Sequence, residues 1–415
     1  MAKNHLIGLL LGTEEDWPSA FEALVRRLDP SVATGGETHQ FSTVRVTNEP
    51  FDLRYEPRHS LVIDRLAHWY SLPREWLKKV ALMDDVYLLN NPFTFQTMTK
   101  HSAYCAMMRL GLKVPETWMI PNKVPPENAR FPYTSKKYNR SFVLDEVAEQ
   151  VGYPLFMKPF DGGAWVGVTR IKDPEELHAC YDDSGERLMH LQSSVENFDV
   201  FARSLSIGAE TVVMQFEPDR PMHDRYQVAH GFLAPKTGHE VVAIGKLINA
   251  FFRWEFNSCE TLVKGEEVYP IDYANAAPDV ALTSLHYYFP WAIKTLVKWS
   301  IFCCATGRQM RVDQNMSTYN EIGDDPNLSY EEKIDRYLAL ANDYFEADRY
   351  EEFCAENLAE IDEVTVEFVE SPEMDKILVG AVETQFPQHE HEHFIAHYRG
   401  LLAASAADQR ALHAS

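Results

Sequence analysis

The sequence predicts a mixed α/β protein with α+β character and an appended helical region, and three observations indicate this class. A short apolar run from His5 to Leu11 ends at a glycine and is followed by apolar residues at helical spacing. Later apolar runs are separated by glycine-containing turns, as in antiparallel hairpins. From about residue 317 the 415-residue chain becomes acidic, with a helical apolar pattern. A chain of this length can form two or three domains.

The N-terminal part has the pattern of strands alternating with helices. Two further apolar runs, Leu61–Leu66 and Val86–Pro92, predict buried strands. A helix is predicted around Thr97–Leu110, because Gly111 is a typical helix stop. Residues 121–140 are rich in Pro, Asn and Lys, which predicts a surface loop.

The middle of the chain predicts a second unit, built mainly of strands. It opens with a predicted helix, "LDEVAEQVG", and a strand, "PLFMKPF". The runs "TVVMQF", "YQVAHGFLAP", "EVVAIGKLI", "FFRWEF" and "EVYPIDYA" then predict strands. Turns at Lys236-Thr237-Gly238 and Lys264-Gly265 predict hairpins between some of them. In the acidic region, Ser329 and Glu332 have the spacing of a capping box.

Composition and charge exclude several classes of function. The formal net charge of −23 argues against a nucleic-acid partner, since phosphate binding needs a basic face. The apolar run near the N-terminus is too short to span a membrane. Six cysteines without a C-x-x-C pair indicate reduced thiols. We therefore expect a cytoplasmic protein with no membrane partner.

The stretch "MKPFDGGAWVGV" places Lys158 at the end of a predicted strand, just before a glycine-rich loop. Glycines leave backbone N–H groups uncovered, so such a loop can surround phosphate oxygens, and a lysine can neutralise them. The residue pattern matches neither a Walker A loop nor a dinucleotide-binding fingerprint. On these residues alone, a tight hairpin is an equally good interpretation.

Taken together, the ordered motifs from Asp64 to Pro290 resemble the ATP-grasp superfamily, in particular its glutathione-synthetase or glutamate-ligase type and its D-alanine–D-alanine ligase type. The resemblance implies a pre-grasp domain over residues 1–95 and an ATP-grasp domain over 96–316. In that domain two α+β subdomains enclose ATP, with a lid subdomain at about 141–213. Residues 317–415 form the appended helical domain.

The resemblance also implies a set of nucleotide-binding residues. Lysines contact the phosphates, glycines form the mobile loop over them, a hinge strand reads the adenine edge, and an acid accepts from the ribose hydroxyls. The matching lysines are Lys100 and Lys158, and the matching glycines are Gly162 and Gly163. The hinge positions are Gln215, Phe216 and Glu217, and the acid is Asp224.

Phosphoryl transfer from ATP requires Mg²⁺, which prefers oxygen ligands. The resemblance implies Glu255, Asp272 and Asn275 as these ligands. Asp272 stands one residue before the position that the family pattern requires, which Tyr273 occupies. A β-bulge would bring Asp272 to the metal. Glu260 is the reserve ligand.

Two catalytic residues follow from the same resemblance. Arg253 is expected to share a strand face with Glu255 and to stabilise a tetrahedral intermediate. Ser284, at a predicted helix start, is expected to bind the carboxylate of the incoming substrate. Ala164 and Trp165 stand where D-alanine ligases commonly carry serines, so substrate identity does not transfer.

These motifs predict an ATP-dependent ligase that joins a small-molecule carboxylate to an amine, such as an amino acid or peptide, through an acylphosphate. The oligomeric state is left open, a homo-oligomer included. One alternative is a regulatory or scaffold protein that binds ATP and has lost its metal acid. Another is a metal-binding protein that uses the "HEHEHFIAHYRG" segment, in which His389, His393 and His397 repeat at i, i+4.

Overall fold

The computed structural model describes residues 2–94, 100–138, 140–161, 165–276 and 278–414. These ranges contain fourteen β-strands and fifteen α-helices. The strands are β1 Ala2–Leu10, β2 Ser31–Thr34, β3 Glu37–Arg45, β4 Leu61–Asp64, β5 Tyr87–Leu89, β6 Thr117–Ile120, β7 Leu155–Pro159, β8 Thr169–Ile171, β9 Met189–Ser193, β10 Val200–Ile207, β11 Glu210–Phe216, β12 Tyr226–Gln227, β13 Phe256–Lys264 and β14 Glu267–Ala276. The helices are α1 Asp16–Leu28, α2 Ser71–Met83, α3 Lys100–Arg109, α4 Phe131–Tyr138, α5 Leu144–Val151, α6 Pro174–Asp183, α7 Pro235–Phe252, α8 Leu282–Leu285, α9 Phe289–Ala305, α10 Met316–Asp324, α11 Tyr330–Phe345, α12 Ala347–Asn357, α13 Ile361–Val369, α14 Pro372–Gln385 and α15 His391–Ala414.

The N-terminal sheet has the strand order β2-β3-β1-β4-β5. Strand β1 pairs in parallel with both β3 and β4, and β4 pairs in parallel with β5. Because parallel strands end at one edge, the chain leaves β1 and β4 on the same side. Arg65, which follows β4, donates to the backbone oxygen of Pro278. This edge of the sheet therefore faces the segment that follows β14.

The floor sheet, β12-β11-β10-β13-β14, is antiparallel throughout. Helix α7 covers it, and its buried positions include Val241, Ile244, Leu247 and Phe251. These positions recur every three or four residues, which is the period of a helix packed on a sheet. The floor sheet shares one continuous apolar core with the N-terminal sheet and the C-terminal helices.

The lid sheet, β6-β9-β7-β8, is also antiparallel. It has an apolar core of its own, which it forms with α5 and α6 and which includes Leu155, Met157, Leu177 and Leu191. The connection from β9 to β10, residues 194–199, joins the lid sheet to the floor sheet.

The C-terminal region is helical from α10 to α15 and strongly acidic. Residues 317–415 carry 23 acidic and 6 basic side chains, a net charge of −17. The capping box of Ser329 and Glu332 is present at the start of α11, as the sequence predicts. Arg26 and Arg27 of α1 pair with Glu373 of α14, which connects this region to the N-terminal domain.

One long element differs in type from the sequence prediction. The run "EVVAIGKLI" was expected to be a strand, and Lys236-Thr237-Gly238 a hairpin turn, but both lie within helix α7. Pro235 is at the first helical turn, where it needs no N–H partner. This helix is buried on nearly all sides and contains several β-branched residues. Its sequence therefore resembles that of a buried strand.

Smaller differences concern the ends of elements. The segment predicted as a loop at 121–140 contains α4. Of "YQVAHGFLAP", only Tyr226 and Gln227 form a strand. Of "FFRWEF", the two leading phenylalanines end α7, and β13 begins only at Phe256. The predicted turn at Lys264-Gly265 does join β13 to β14.

All six cysteines are free thiols, and Cys259, Cys303 and Cys304 are buried. Among the helices of the described ranges, none is long and apolar enough to cross a membrane.

A substitution in the turn between β10 and β11 can test how tightly the shared core is packed. Gly208 has a φ of 54°, and a Cβ there would lie 2.0 Å from the ring of the buried Trp299. We expect Gly208→Ala to lower the free energy of unfolding by about 3 kcal/mol or more, since overpacking adds to the cost of a left-handed alanine. Urea unfolding followed by circular dichroism measures this.

Gly265→Ala is the matched control, because Gly265 also has a positive φ, 58°, but a Cβ there would have no neighbouring atom within 4 Å. Its cost should be about 1–2 kcal/mol, from backbone strain alone. Equal losses in the two variants would contradict the close contact with Trp299.

Candidate active site

A cavity of about 670 Å³ lies between the lid sheet and the floor sheet. Its lid side is formed by residues of β7, β8 and β9, and its floor by residues of β10, β13 and β14. The β9–β10 connection closes one end, and Lys100 at the start of α3 borders the cavity as well. Charged side chains therefore converge here from four separate parts of the chain.

Two buried lysines are among the cations that border the cavity. Lys158 lies near the end of β7, and its ammonium donates to Oε1 of Gln192 at 2.7 Å. Lys100 forms an ion pair with Asp272. Both lysines are buried. Burial lowers the pKa of Lys158 to about 8, and the nearby charge of Lys100 adds to this effect.

The β13–β14 hairpin provides the acidic part. Glu260 and Asp272 are paired across the two strands, and the register shifts on either side of Glu260. This irregularity turns Asp272 into the cavity, while the adjacent Tyr273 is buried beneath the sheet. Asn275 also borders the cavity. The displaced position of Asp272 in the sequence is thus accommodated by the hairpin itself.

The pKa values of these two carboxyl groups shift in opposite directions. Burial raises the pKa of Glu260, although Arg203 opposes the shift. Burial would also raise the pKa of Asp272, but the positive charges of Lys100, Lys158 and Arg203 together outweigh it and hold the pKa below its usual range. Two carboxylate oxygens and an amide oxygen are hard donors of the kind that Mg²⁺ prefers.

Arg203 of β10 lies between the acids and an aromatic surface. Its guanidinium is 3.7 Å from Glu260 and donates to the hydroxyl of Ser258 at 3.3 Å. It also lies over the rings of Phe216 and Tyr226, at 5.4 and 5.8 Å from their centroids. Arg203 borders the cavity, so the floor sheet contributes a cation to it.

The β9–β10 connection offers unpaired backbone groups to the cavity. Val195, Glu196, Asn197 and Phe198 all border it. Within the described ranges, no backbone hydrogen bond engages the N–H groups of these four residues. An extended ligand edge could therefore pair with this connection, while Phe156 and Phe201 supply apolar walls.

The structure does not bring Arg253 to the cavity. Helix α7 continues to Phe252, and Arg253 is its left-handed C-cap with a φ of 59°. Its guanidinium donates to the backbone oxygens of Ala250, Asp313 and Gln314. The expectation that Arg253 and Glu255 share a strand face is therefore wrong, because the strand begins after both of them.

Glu255 lies in the core rather than at the cavity. Its side chain is 3% exposed and accepts hydrogen bonds from the hydroxyls of Tyr87 and Tyr344 and, at 2.7 Å, from the indole of Trp299. Arg308 lies 3.7 Å away as its countercharge. With all of its oxygens engaged, Glu255 has no free position for a metal. In this structure Glu260, the reserve ligand, is the acid that faces Asp272.

The residues expected to read adenine and ribose also lie outside the cavity lining. Gln215 and Phe216 belong to β11, and Phe216 is buried beneath Arg203. Glu217 and Asp224 both pair with Arg220 on the surface. Their neighbours Pro218, Asp219 and Arg225, in the connection between β11 and β12, do border the cavity.

Ser284 is buried and donates to Asp279 at 2.6 Å, and the neighbouring Thr283 donates to Gln385 of α14 at 2.5 Å. Neither residue borders the cavity. Gly162 and Gly163, expected in the mobile loop, lie outside the described residues. Trp165, which follows them, does border the cavity.

The C-terminal histidines do not form a metal centre in the described part of the chain, where no group of three His, Cys, Asp or Glu residues is arranged to hold a metal. His389 lies in a 3₁₀ turn before α15, whereas His393 and His397 are on that helix. His397 instead packs near His223, with ring centroids 6.2 Å apart. The histidine-based alternative is therefore not supported.

No family model matches the chain. A segment of 45 residues is 42% identical to the D-alanine–D-alanine ligase of Heliobacterium modesticaldum, which is 11% of this chain and 12% of that ligase. The matching segment thus spans about an eighth of its curated relative.

Solved structures resemble a much larger part of the chain. The RiPP-associated ATP-grasp ligase of Chryseobacterium gregarium, solved with ADP and a leader and core peptide, has a TM-score of 0.50 at 12% identity. The likeness covers 74% of this chain and 98% of that one. The RimK domain ATP-grasp protein of Sphaerobacter thermophilus has a TM-score of 0.49 at 12% identity, covering 70% and 98%. The protein has the ATP-grasp fold, as its sequence motifs predict.

Sequence reasoning missed Gln192, Arg203 and the β9–β10 connection. The signal for the connection was "SVENFD", a mostly polar segment that directly follows the buried strand β9. Arg203 had no such signal, because its pairing with Glu260 depends on the register of β10 with β13.

A substitution of Glu255 can test whether this residue acts in the core or at the cavity. In Glu255→Gln the charge of the carboxylate facing Arg308 would be lost, leaving Glu346 as the remaining acidic partner of Arg308. The new amide would also turn an N–H donor toward Trp299 or toward the two tyrosine hydroxyls, which are donors themselves. We expect the free energy of unfolding to fall by about 3–5 kcal/mol, as for a broken buried ion pair. Urea unfolding measures this loss.

In the same variant, calorimetry on the folded protein at low temperature should give wild-type nucleotide affinity. A stable protein with weakened nucleotide binding would show that Glu255 acts at the cavity after all.

Proposed function

We propose that the protein is an ATP-dependent carboxylate–amine ligase. The observation that carries this proposal is the meeting of two buried lysines with two carboxylates and an amide in one cavity between the sheets. A polyphosphate needs the cations, and a magnesium ion needs the oxygens. The fold is that of a structure described as an ATP-grasp ligase.

Each part of the nucleotide has a counterpart in the cavity. The adenine edge would pair with backbone groups of the β9–β10 connection, between the rings of Phe156 and Phe201. The phosphates would extend toward Lys158 and Lys100. This assignment replaces Gln215, Phe216, Glu217 and Asp224 with a segment that lines the cavity.

Glu260, Asp272 and the amide oxygen of Asn275 would hold Mg²⁺. When bound, the ion would neutralise the charge that develops during phosphoryl transfer. Because Lys100 is paired with Asp272, arrival of the phosphates gives this lysine a second anionic partner. The lysines and the metal would then neutralise the two acids and the phosphates together.

The reaction proceeds in two steps. A carboxylate oxygen of the first substrate attacks the γ-phosphorus, the bond to the β-phosphate oxygen breaks, and ADP leaves. The amine of the second substrate then attacks the carbonyl carbon of the acylphosphate, loses a proton and displaces phosphate. No enzyme nucleophile is required.

We assign to Arg203 the role of binding the reacting carboxylate of the substrate. Its guanidinium faces the cavity beside Glu260, so it can donate to the carboxylate and later to the oxyanion of the tetrahedral intermediate. It takes the role that the sequence motifs assigned to Arg253.

The proposal is tested by incubating the protein with ATP, Mg²⁺ and a panel of amino acids and small peptides, with hydroxylamine to trap acylphosphates. ADP formation that depends on one carboxylate, with the matching hydroxamate by mass spectrometry, is the expected result. A wild-type protein that binds no ATP in calorimetry would contradict it.

The metal-binding acids should affect turnover more than nucleotide affinity. We expect Glu260→Gln and Asp272→Asn each to lower ADP formation 10²-fold or more, which is about 2.7 kcal/mol of barrier. The affinity for ATP should change far less, because both lysines remain. Coupled ADP assays and calorimetry measure the two effects.

Glu267→Gln is the control, since Glu267 lies on the same hairpin but is exposed and outside the cavity. It should turn over like the wild type. Full activity of Asp272→Asn would remove Asp272 from the metal site.

Lys158→Met should abolish saturable ATP binding, because the substituted side chain fills the same buried space without a charge. Lys172→Met, on the exposed surface of the lid, is its control. Unchanged calorimetric affinity in Lys158→Met would mean that the phosphates lie elsewhere.

A further inference from the structure

Lys158 is a buried lysine without a carboxylate partner. Within the described ranges, none of the salt bridges includes it, and its ammonium donates to the neutral amide oxygen of Gln192. Lys100 differs, since it is paired with Asp272. A buried ammonium that lacks a countercharge is costly. Something other than a nearby carboxylate must therefore hold Lys158 in place.

Gln192 is fixed so that only its oxygen can face Lys158. It is 1% exposed, and its Nε2 donates to the hydroxyl oxygen of Thr117 at 2.8 Å. Thr117 in turn donates its own proton to the backbone oxygen of Pro115 at 2.7 Å. The hydroxyl is therefore the acceptor for Gln192, and Oε1 remains for the lysine. Three hydrogen bonds connect the ammonium to the backbone of the lid.

The acids near Lys158 do not compensate for its burial, although Asp272 and Glu260 both oppose the lowering of its pKa. Lys100 of α3 is a like charge, and the acids opposite it, Asp272 of β14 and Glu260 of β13, are engaged with Lys100 and Arg203. His190 of β9 is the cross-strand neighbour of Lys158. Burial lowers the pKa of His190 to about 3, with His101 adding to the shift, so its imidazole is neutral.

We propose that Gln192 is a positioning residue that holds the Lys158 side chain toward the phosphate site without supplying a countercharge, so that the bound polyphosphate supplies it and nucleotide binding draws a proton onto Lys158. This inference rests on the proposed function, since it takes ATP as the ligand of the cavity. A glutamate at position 192 would place a permanent anion at the ammonium and remove the coupling.

The pH range of the effect follows from the shift of Lys158. Burial and Lys100 lower its pKa to about 8, so the free lysine loses its proton as the pH rises through that value. The bound phosphates favour the charged form and raise the pKa again. Below about pH 7 binding takes up almost no proton at this site. Above pH 8 it takes up close to one, and the affinity for ATP falls by up to about tenfold per pH unit.

Other buried groups near the cavity do not titrate in this range. Burial raises the pKa of Tyr104 and Tyr273 well above the usual value and raises that of Cys259 to about 12. The exposed thiol of Cys105 lies 3.7 Å from His101. The variant Cys105→Ser therefore serves as a control that excludes this thiol as the source of the proton uptake.

The experiment is calorimetry of ATP binding to the full chain at pH 7, 8 and 9 in buffers of different ionisation enthalpy. We expect an uptake of about half a proton per ATP at pH 8, rising toward one at pH 9. Cys105→Ser should give the same values. Gln192→Glu should abolish the uptake and make the affinity independent of pH over this range.

Two further variants separate positioning from a structural effect. Gln192→Met removes the hydrogen bond but adds no charge, so proton uptake should persist while the affinity for ATP falls tenfold or more. Gln309→Glu adds the same charge on the exposed surface and should behave as the wild type. Circular dichroism checks that each variant is folded.

The outcomes distinguish this inference from the proposed function. Saturable ATP binding without proton uptake at pH 8 and 9 would overturn the role of Gln192 and leave the ligase proposal standing. Unchanged affinity and uptake in both Gln192→Glu and Gln192→Met would overturn it as well. Absence of ATP binding at every pH would overturn the ligase proposal first.

Discussion

The buried carboxylate of Glu255 is the constraint on which the arrangement of the domains depends. Tyr87 comes from the N-terminal sheet, Trp299 from α9, and Tyr344 from the C-terminal region, and all three donate to this one side chain. Arg308 adds the countercharge. A carboxylate in a core is tolerated only when its oxygens are satisfied. The three regions must therefore meet at Glu255 in one geometry.

This constraint extends to the cavity through the chain itself. Arg253 turns the backbone at the end of α7, Glu255 fixes the following residue in the core, and β13 begins at Phe256. The strand then leads to Glu260 on the cavity floor. The register of the hairpin, which decides that Asp272 rather than Tyr273 faces the cavity, is thus set from its buried end. A fixed end also lets the register shift remain local.

Much of the fold could be predicted from the sequence, because the ordered motifs are local. Lys158 and Lys100 could be placed from the residues around them, and Asp272 needed only a bulge. The position of Glu255 could not be predicted, since its environment is formed by residues up to 168 positions away in the chain. Helix α7 was misread because a helix buried on most sides has no polar face to reveal its period. Arg203 could not be found, because its relation to Glu260 exists only across paired strands.

The separate apolar core of the lid sheet has a consequence for how stability is distributed. Since this core is not continuous with the main one, the lid can open or exchange its amides as a cooperative unit while the rest of the molecule stays folded. A ligand held by both sheets adds its binding free energy to that local equilibrium, about 2.7 kcal/mol at a concentration one hundred times its Kd. Degradation that begins in the lid would then depend on how much of the cavity's ligand is present.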